Sequence, residues 1–422
     1  MTQSHRLRDN VPMPVSVDAA PRGIDLGDPA FWRLPEKLRA EAFARLRERP
    51  GPVAFTDRAT GRRCWALVRH ADVMTASRSP EVYLSGPGVT SPEPARWVRA
   101  VFGDSMVNLD DPRHADLRRV VGRAFTPRLL AEVEQDIART AARLVDRLER
   151  ERPTDFVAAV AGELPYQVIC SMMGIPEEQR RNILARINRA SASAGVTRRG
   201  LRVPGRGLHA LAAMHLTVAA LGRERRRRPT GDLISALVTA DVDGRRLGSR
   251  ELGAFFSLLL VAGVETTRNA LAHGLHLLTV HPEQRALLLG DPDAHLGGAV
   301  EEIVRHSTPI VQFRRTVAVD HKLSGIRLAA GDKVVLFYGS ANRDEAVFDR
   351  ADAFDITRSP NPHLGFGGGG PHFCLGAHLA RQEMRTMLRE LLTRLPEIRS
   401  TAEPELVPSS FDHRVRALRF TF

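Results

Sequence analysis

Cys374 closes a glycine-rich turn, Gly365-Phe366-Gly367-Gly368-Gly369-Gly370-Pro371-His372-Phe373-Cys374-Leu375-Gly376, and a helix-like stretch follows at once. No other segment restricts the fold and chemistry of the chain so sharply. A helix N-terminus presents unpaired N–H groups and a partial positive charge. Both favour thiolate over thiol at a cysteine placed there. The glycines let backbone approach a neighbour that side chains would keep away.

A phosphate-cradling loop would carry Lys followed by Ser or Thr after its glycines, and none occurs here. A zinc site would gather several Cys and His at ligand spacing. Cys374 and His378 are one helical turn apart, but Cys64 and Cys170 lie far off in sequence. On the turn alone, two readings stay open. One is an activated thiolate under a flat cofactor, since haem iron accepts a single axial cysteine. The other is a structural glycine loop around a buried free cysteine, and both features are common.

The chain has 422 residues, 43% of them hydrophobic, which is ample for a large core. Length alone would allow two or three domains. Three scattered cysteines argue against a disulfide framework and for a reducing compartment. The polar start, with Pro12, Pro14 and Pro21, predicts a flexible arm over residues 1–28. That arm holds no apolar signal run, and no stretch reaches the ~20 apolar residues of a membrane span. A cytoplasmic, bacterial protein with no membrane attachment is expected. The net charge of +12 raises nucleic acid as a partner. No nucleic-acid motif is found, and 5% aromatic residues leave few stacking platforms. The run Arg225–Arg228 fits a solvated helix C-terminus.

Most segments read as helix: 35–49, 113–125, 129–150, 155–173 with Pro165 interrupting, 177–194, 208–227, 252–280, 294–307 and 374–395. Strands are expected at 64–68, 311–319 and 334–338, with loops over 83–105 and 195–207. Within the long central helix lies Ala262-Gly263-Val264-Glu265-Thr266-Thr267. An interior Gly costs about 1 kcal/mol relative to Ala, and Thr hydroxyls can bond back to carbonyls one turn earlier and bend the axis. Disfavoured residues inside a buried helix mark either a site or a tolerated kink. Glu302 and Arg305 share a helix face, with Arg343 as a candidate third partner. His114 and Arg118, at i and i+4, suit a carboxylate ligand or a solvated helix face equally, and Arg314-Arg315 is as ambiguous.

Taken in order, these segments resemble the cytochrome P450 family, from about Pro35 to Phe422. The resemblance implies a mainly α fold with a small β region. Cys374 would bind haem b iron as thiolate, with Phe366, Gly367 and Gly376 around it. His114, Arg118, Arg315 and His372 would hold the propionates. Glu265 and Thr266 would organise proton delivery, and Ala262 and Gly263 would make room for dioxygen. Glu302, Arg305 and Arg343 would form a structural charge cluster. Phe366 lies eight residues before Cys374, one more than the commoner bacterial pattern, so the loop carries an extra glycine.

The same resemblance lines the substrate pocket with Trp97, Phe102, Val261, Val311, Phe313 and Phe411, a mostly apolar set. A lipid-like, terpenoid or steroid-like substrate is expected. Arginines 198, 199, 202 and 206 would lie in a lid. The implied reaction is monooxygenation driven through a ferredoxin and its reductase, with Arg62, Arg63 and Arg381 facing an acidic donor. A peroxide-driven oxygenase and a non-catalytic haem sensor are the alternatives.

Overall fold

The computed structural model describes residues 23–90, 105–180, 196–197, 200–201, 205–240 and 247–422, with side chains of 205–215 left aside. Trp97, Phe102, and the arginines at 198, 199 and 202 lie outside these residues. So do the Arg206 side chain, most of the helix expected over 177–194, and most of the expected N-terminal arm.

Helices α1 (Glu36–Arg47), α2 (His70–Arg78), α3 (Arg113–Ala124), α4 (Pro127–Glu151) and α5 (Glu163–Met172) form the first half, with strands β1 (Val53–Asp57), β2 (Arg62–Leu67) and β3 (Tyr83–Leu84). A short hairpin, β4 (Val196–Thr197) and β5 (Gly200–Leu201), precedes α6 (Gly205–Arg227), α7 (Leu233–Thr239) and α8 (Ser249–Leu259). The second half runs α9 (Glu265–Val280), α10 (Pro282–Gly290), α11 (Pro292–Ser307), β6 (Gln312–Val317), β7 (His321–Leu323), β8 (Ile326–Leu328), β9 (Lys333–Phe337) and α12 (Tyr338–Ala341). Helix α13 (Ala377–Arg394) and strands β10 (Arg399–Ser400), β11 (Glu405–Leu406), β12 (Val415–Ala417) and β13 (Phe420–Thr421) close the chain.

Helix α4 shows why the helical part holds together. Thr126 caps it by accepting the Leu129 N–H at 3.2 Å, and Pro127 opens its first turn. Leu129, Val133, Ile137, Ala141, Leu144 and Leu148 then recur on one buried face. That face packs on α5 and α13, and each buried aliphatic contributes about 1.5–3 kcal/mol of transfer free energy. The helix expected over 155–173 is broken ahead of Pro165. A π segment at Val157–Ala161 ends where the proline ring would oppose the carbonyl four residues back.

The five-stranded sheet has the order β1-β2-β9-β6-β3, with β2 and β9 parallel and the other pairs antiparallel. Strand β1, absent from the sequence expectation, is joined to β2 through a turn that puts Gly61 at a φ of +68°. One sheet face packs Trp32, Phe43, Val53 and Phe337 with α1, and the other packs Leu67, Val73 and Leu336 with α2. No helix among the described residues is long and apolar enough to cross a membrane.

Candidate functional site

Cys374 precedes Gly376, the N-cap of α13, so the helix begins three residues later than expected. Its N–H donates to the Phe366 carbonyl at 2.9 Å. Arg118 on α3 donates to the neighbouring Phe373 carbonyl at 2.7 Å. A Cβ on Gly370 would lie 2.2 Å from the Ser77 carbonyl oxygen, and one on Gly368 would lie 2.6 Å from Ser77 Oγ. The backbone that these glycines approach is therefore the last turn of α2.

Cys374 is surrounded by protein yet accessible, as the floor of an internal recess would be. Burial pushes its thiol up, against the Gly376 N–H and the charges of Arg118 and Arg381, which pull it down. Cys64 and Cys170 are buried, and burial raises both thiols to about 11.

Basic side chains from three elements gather beside this loop. The His114 and His372 rings are 4.1 Å apart. Burial and the charges of Arg315, His114 and Arg118 hold His372 down at about 3, so its imidazole is neutral. Ser85 Oγ lies 3.1 Å from His372 Nε2. Arg315 on β6 is buried, and its one hydrogen-bond acceptor among the described residues is the Arg314 carbonyl at 2.8 Å. His114 Nδ1 is buried without a hydrogen bond among the described residues, 3.5 Å from the Asp111 carboxylate. Buried donors with spare capacity make this corner a receptor for an anion.

The central helix is not continuous. Between α8 and α9, Leu260–Val264 forms a π turn, a distortion common at functional sites. Val261 is 58% exposed there, while Leu260 and Val264 on either side are buried. A Cβ on Gly263 would meet Ile169 Cδ1 at 2.4 Å, so this glycine lets the π turn touch α5. Thr266 Oγ1 donates to the Ala262 carbonyl at 2.5 Å. Glu265 is buried, 3.3 Å from Arg268 and 3.9 Å from Arg414, and its Oε2 accepts no hydrogen bond. Nearly two turns into α13, sequence reasoning missed Glu383. Burial raises its carboxyl to about 8, with the Thr267 side chain partly offsetting the rise.

Glu302 and Arg305 are fully buried and joined by two hydrogen bonds of 2.8 Å. Arg305 also donates to the carbonyls of Asn342, Ala351 and Ala353. Arg343 is not the third member. Its side chain leaves α12 on the other side and pairs with Glu36 at 2.9 Å, while its neighbour Asn342 supplies the carbonyl. Arg358 at 3.3 Å and Asn361 at 3.0 Å complete the Glu302 shell. Val311 also departs from expectation: it is 3% exposed and packs in the core with Trp32, Phe43 and Phe337. Phe313 and Phe411 do come together, edge to face at 5.5 Å.

Phe366 is held from behind. Glu301 takes Arg381 through bonds of 2.6 and 2.8 Å and lies 3.0 Å from His363 Nε2. The Arg381 guanidinium then stacks on the Phe366 ring at 4.3 Å. Arg381 is therefore engaged internally, whereas Arg62 and Arg63 on β2 are exposed, with Arg63 stacked over Trp65.

A family model described as Cytochrome P450 matches residues 219–397. The chain is 44% identical over 410 residues to a methyl-branched lipid omega-hydroxylase of Mycobacterium tuberculosis, covering 95% of each chain. It is 34% identical over 391 residues to a steroid C26-monooxygenase of Mycolicibacterium smegmatis, covering 89% of this chain and 88% of that one. A cytochrome P450 of Mycobacterium marinum, solved in complex with pseudoionone, superposes with a TM-score of 0.86 at 40% identity, covering 96% of this chain and all of that one (100%). With similarity of this extent, the chain belongs to the cytochrome P450 family of haem b-dependent monooxygenases.

Proposed function

We propose that this chain hydroxylates an apolar lipid, steroid-like or terpenoid molecule at a haem held by Cys374, within a single domain over 29–422. The observation that carries the reading is an accessible cysteine in a glycine-rich loop, beside buried basic groups with unused donors among the described residues. The donor set fits haem b: one sulfur for iron, and His114, Arg118, Arg315 and His372 for two carboxylates. The orphaned His114 Nδ1 is an atom that such a carboxylate would satisfy.

When bound, haem ligated by a thiolate supplies the reductive activation of dioxygen. The protein's part is positioning and proton supply. Arg315 and Arg118 would hold and neutralise the propionates, and neutral His372 would donate one hydrogen bond. Val261 and Ala262 keep exposed apolar surface on the π turn, which would exclude water from the reacting carbon if it lies over the haem. Thr266 Oγ1 can exchange its Ala262 bond for a proton-bearing water, with Glu265 as the adjoining acid. Phe313 and Phe411 form an apolar wall for the substrate. The relatives named for a methyl-branched lipid and a steroid support this substrate class.

We further propose that electrons come from a ferredoxin and its reductase in the cytoplasm, with Arg62 and Arg63 contributing to the basic docking face, and that the reaction belongs to secondary metabolism. Turnover of a branched fatty acid or a sterol with NADPH, ferredoxin reductase and ferredoxin under labelled dioxygen tests the reading. The expected product carries one labelled oxygen. Equal rates with peroxide alone would favour the peroxide-driven alternative, and reduction without product would favour a sensor.

A further inference from the structure

Behind the segment that carries Phe411 lies a second recess, of about 280 Å³, floored by α1 and walled by residues 404–414. Arg39 lines it, is 7% exposed, and has a buried Nε with no hydrogen-bond partner among the described residues. The other buried or half-buried arginines nearby are already matched. Arg343 holds Glu36 at 2.9 Å, Arg47 holds Glu345 at 2.6 Å, and Arg414 holds Asp412 at 3.0 Å. A buried guanidinium left over from such pairing costs free energy unless an anion meets it. The rim is apolar: Leu34 and Leu406 are 40% and 37% exposed, and Pro404, Val407 and Pro408 continue it.

We propose that this recess binds the carboxylate of a fatty-acid-like amphiphile, with Arg39 on the head group and the tail lying along Leu34 and Leu406. Glu36 and Asp412 are each already paired, so the buried Arg39, with exposed Arg33 at the rim, is left to meet one carboxylate. The recess shares no lining residue with the cluster of His114, Arg118, Arg315, His372 and Cys374. Phe411 turns away to Phe313, whereas Asp412 and His413 line the recess, and Ile310 bridges to Asp412 between them. The site therefore stands or falls independently of the substrate reading.

Equilibrium dialysis of labelled dodecanoate onto the haem-loaded, full-length protein tests it, with an azole filling the haem-side cavity. One saturable equivalent is expected, weakened at least tenfold by Arg39→Gln, and displaced poorly by dodecanol or inorganic phosphate. Leu406→Asp alters an exposed side chain and leaves Arg39 in place. It should also weaken dodecanoate binding, so it decides the matter if Arg39→Gln fails to fold. No uptake with the azole bound, or uptake untouched by both variants, would overturn the proposal. Displacement by phosphate as strong as by a second fatty acid would overturn the amphiphile assignment and leave a plain anion site.

Discussion

Glu383 is an acid buried between α13 and the central helix, its carboxyl raised by burial that the Thr267 side chain offsets only in part. Its carboxyl is raised from 4.5 to about 8. Between those values the unfolded chain releases a proton that the folded chain retains, so this group makes stability fall as pH rises across that window. Glu383→Gln should flatten the slope of unfolding free energy against pH between 4.5 and about 8, measured by denaturant titration. An unchanged slope would mean that the carboxyl titrates normally. Thr266→Ala removes a hydroxyl that now bonds only to its own helix among the described residues. It should release more hydrogen peroxide per NADPH consumed, and unchanged coupling would remove Thr266 from proton supply. Residue types at fixed spacing made His114, Arg118 and Cys374 legible in the sequence. Arg358 was not, because its partner Glu302 lies 56 positions away. Neither was the turning of Val311 into the core, which depends on where the chain enters β6.

The loop before α13 is an element whose glycines have separate reasons. Gly370 combines a φ of +74° with a Cβ position 2.2 Å from backbone, whereas Gly61 has a φ of +68° and open space around it. Left-handed strain costs of order 1–3 kcal/mol at a non-glycine residue, and only Gly370 adds a clash with backbone. Gly370→Ala should therefore lower the melting temperature and haem retention more than Gly61→Ala. Equal shifts would show that the loop can leave α2 freely. The extra glycine was visible in the sequence, but its accommodation was not. The Phe366 ring is fixed by Arg381, which Glu301 holds from a different helix. The π turn at Leu260–Val264 was foreshadowed by Gly and Thr-Thr in a buried helix, since those residues weaken regular hydrogen bonding. The edge strands β1 and β3 escaped the sequence reading because short strands leave little periodicity.

At the scale of the whole molecule, a helical core and a sheet with packed faces bring α3, β6 and the Cys374 loop together, so that His114, Arg118, Arg315 and His372 gather beside the sulfur. The Glu302–Arg305 pair ties α11 to the segment 342–361 beneath it. Breaking a buried pair of this kind costs about 3–5 kcal/mol, which is a large share of a domain's stability. The site itself has one chemical centre, and every proposed role depends on the sulfur there. The carbonyl complex of the reduced, haem-loaded protein reports that sulfur directly. Cys374→Ser should abolish the red-shifted Soret band that a thiolate ligand produces in this complex. Survival of that band in the variant would contradict the assignment of Cys374 as the iron ligand.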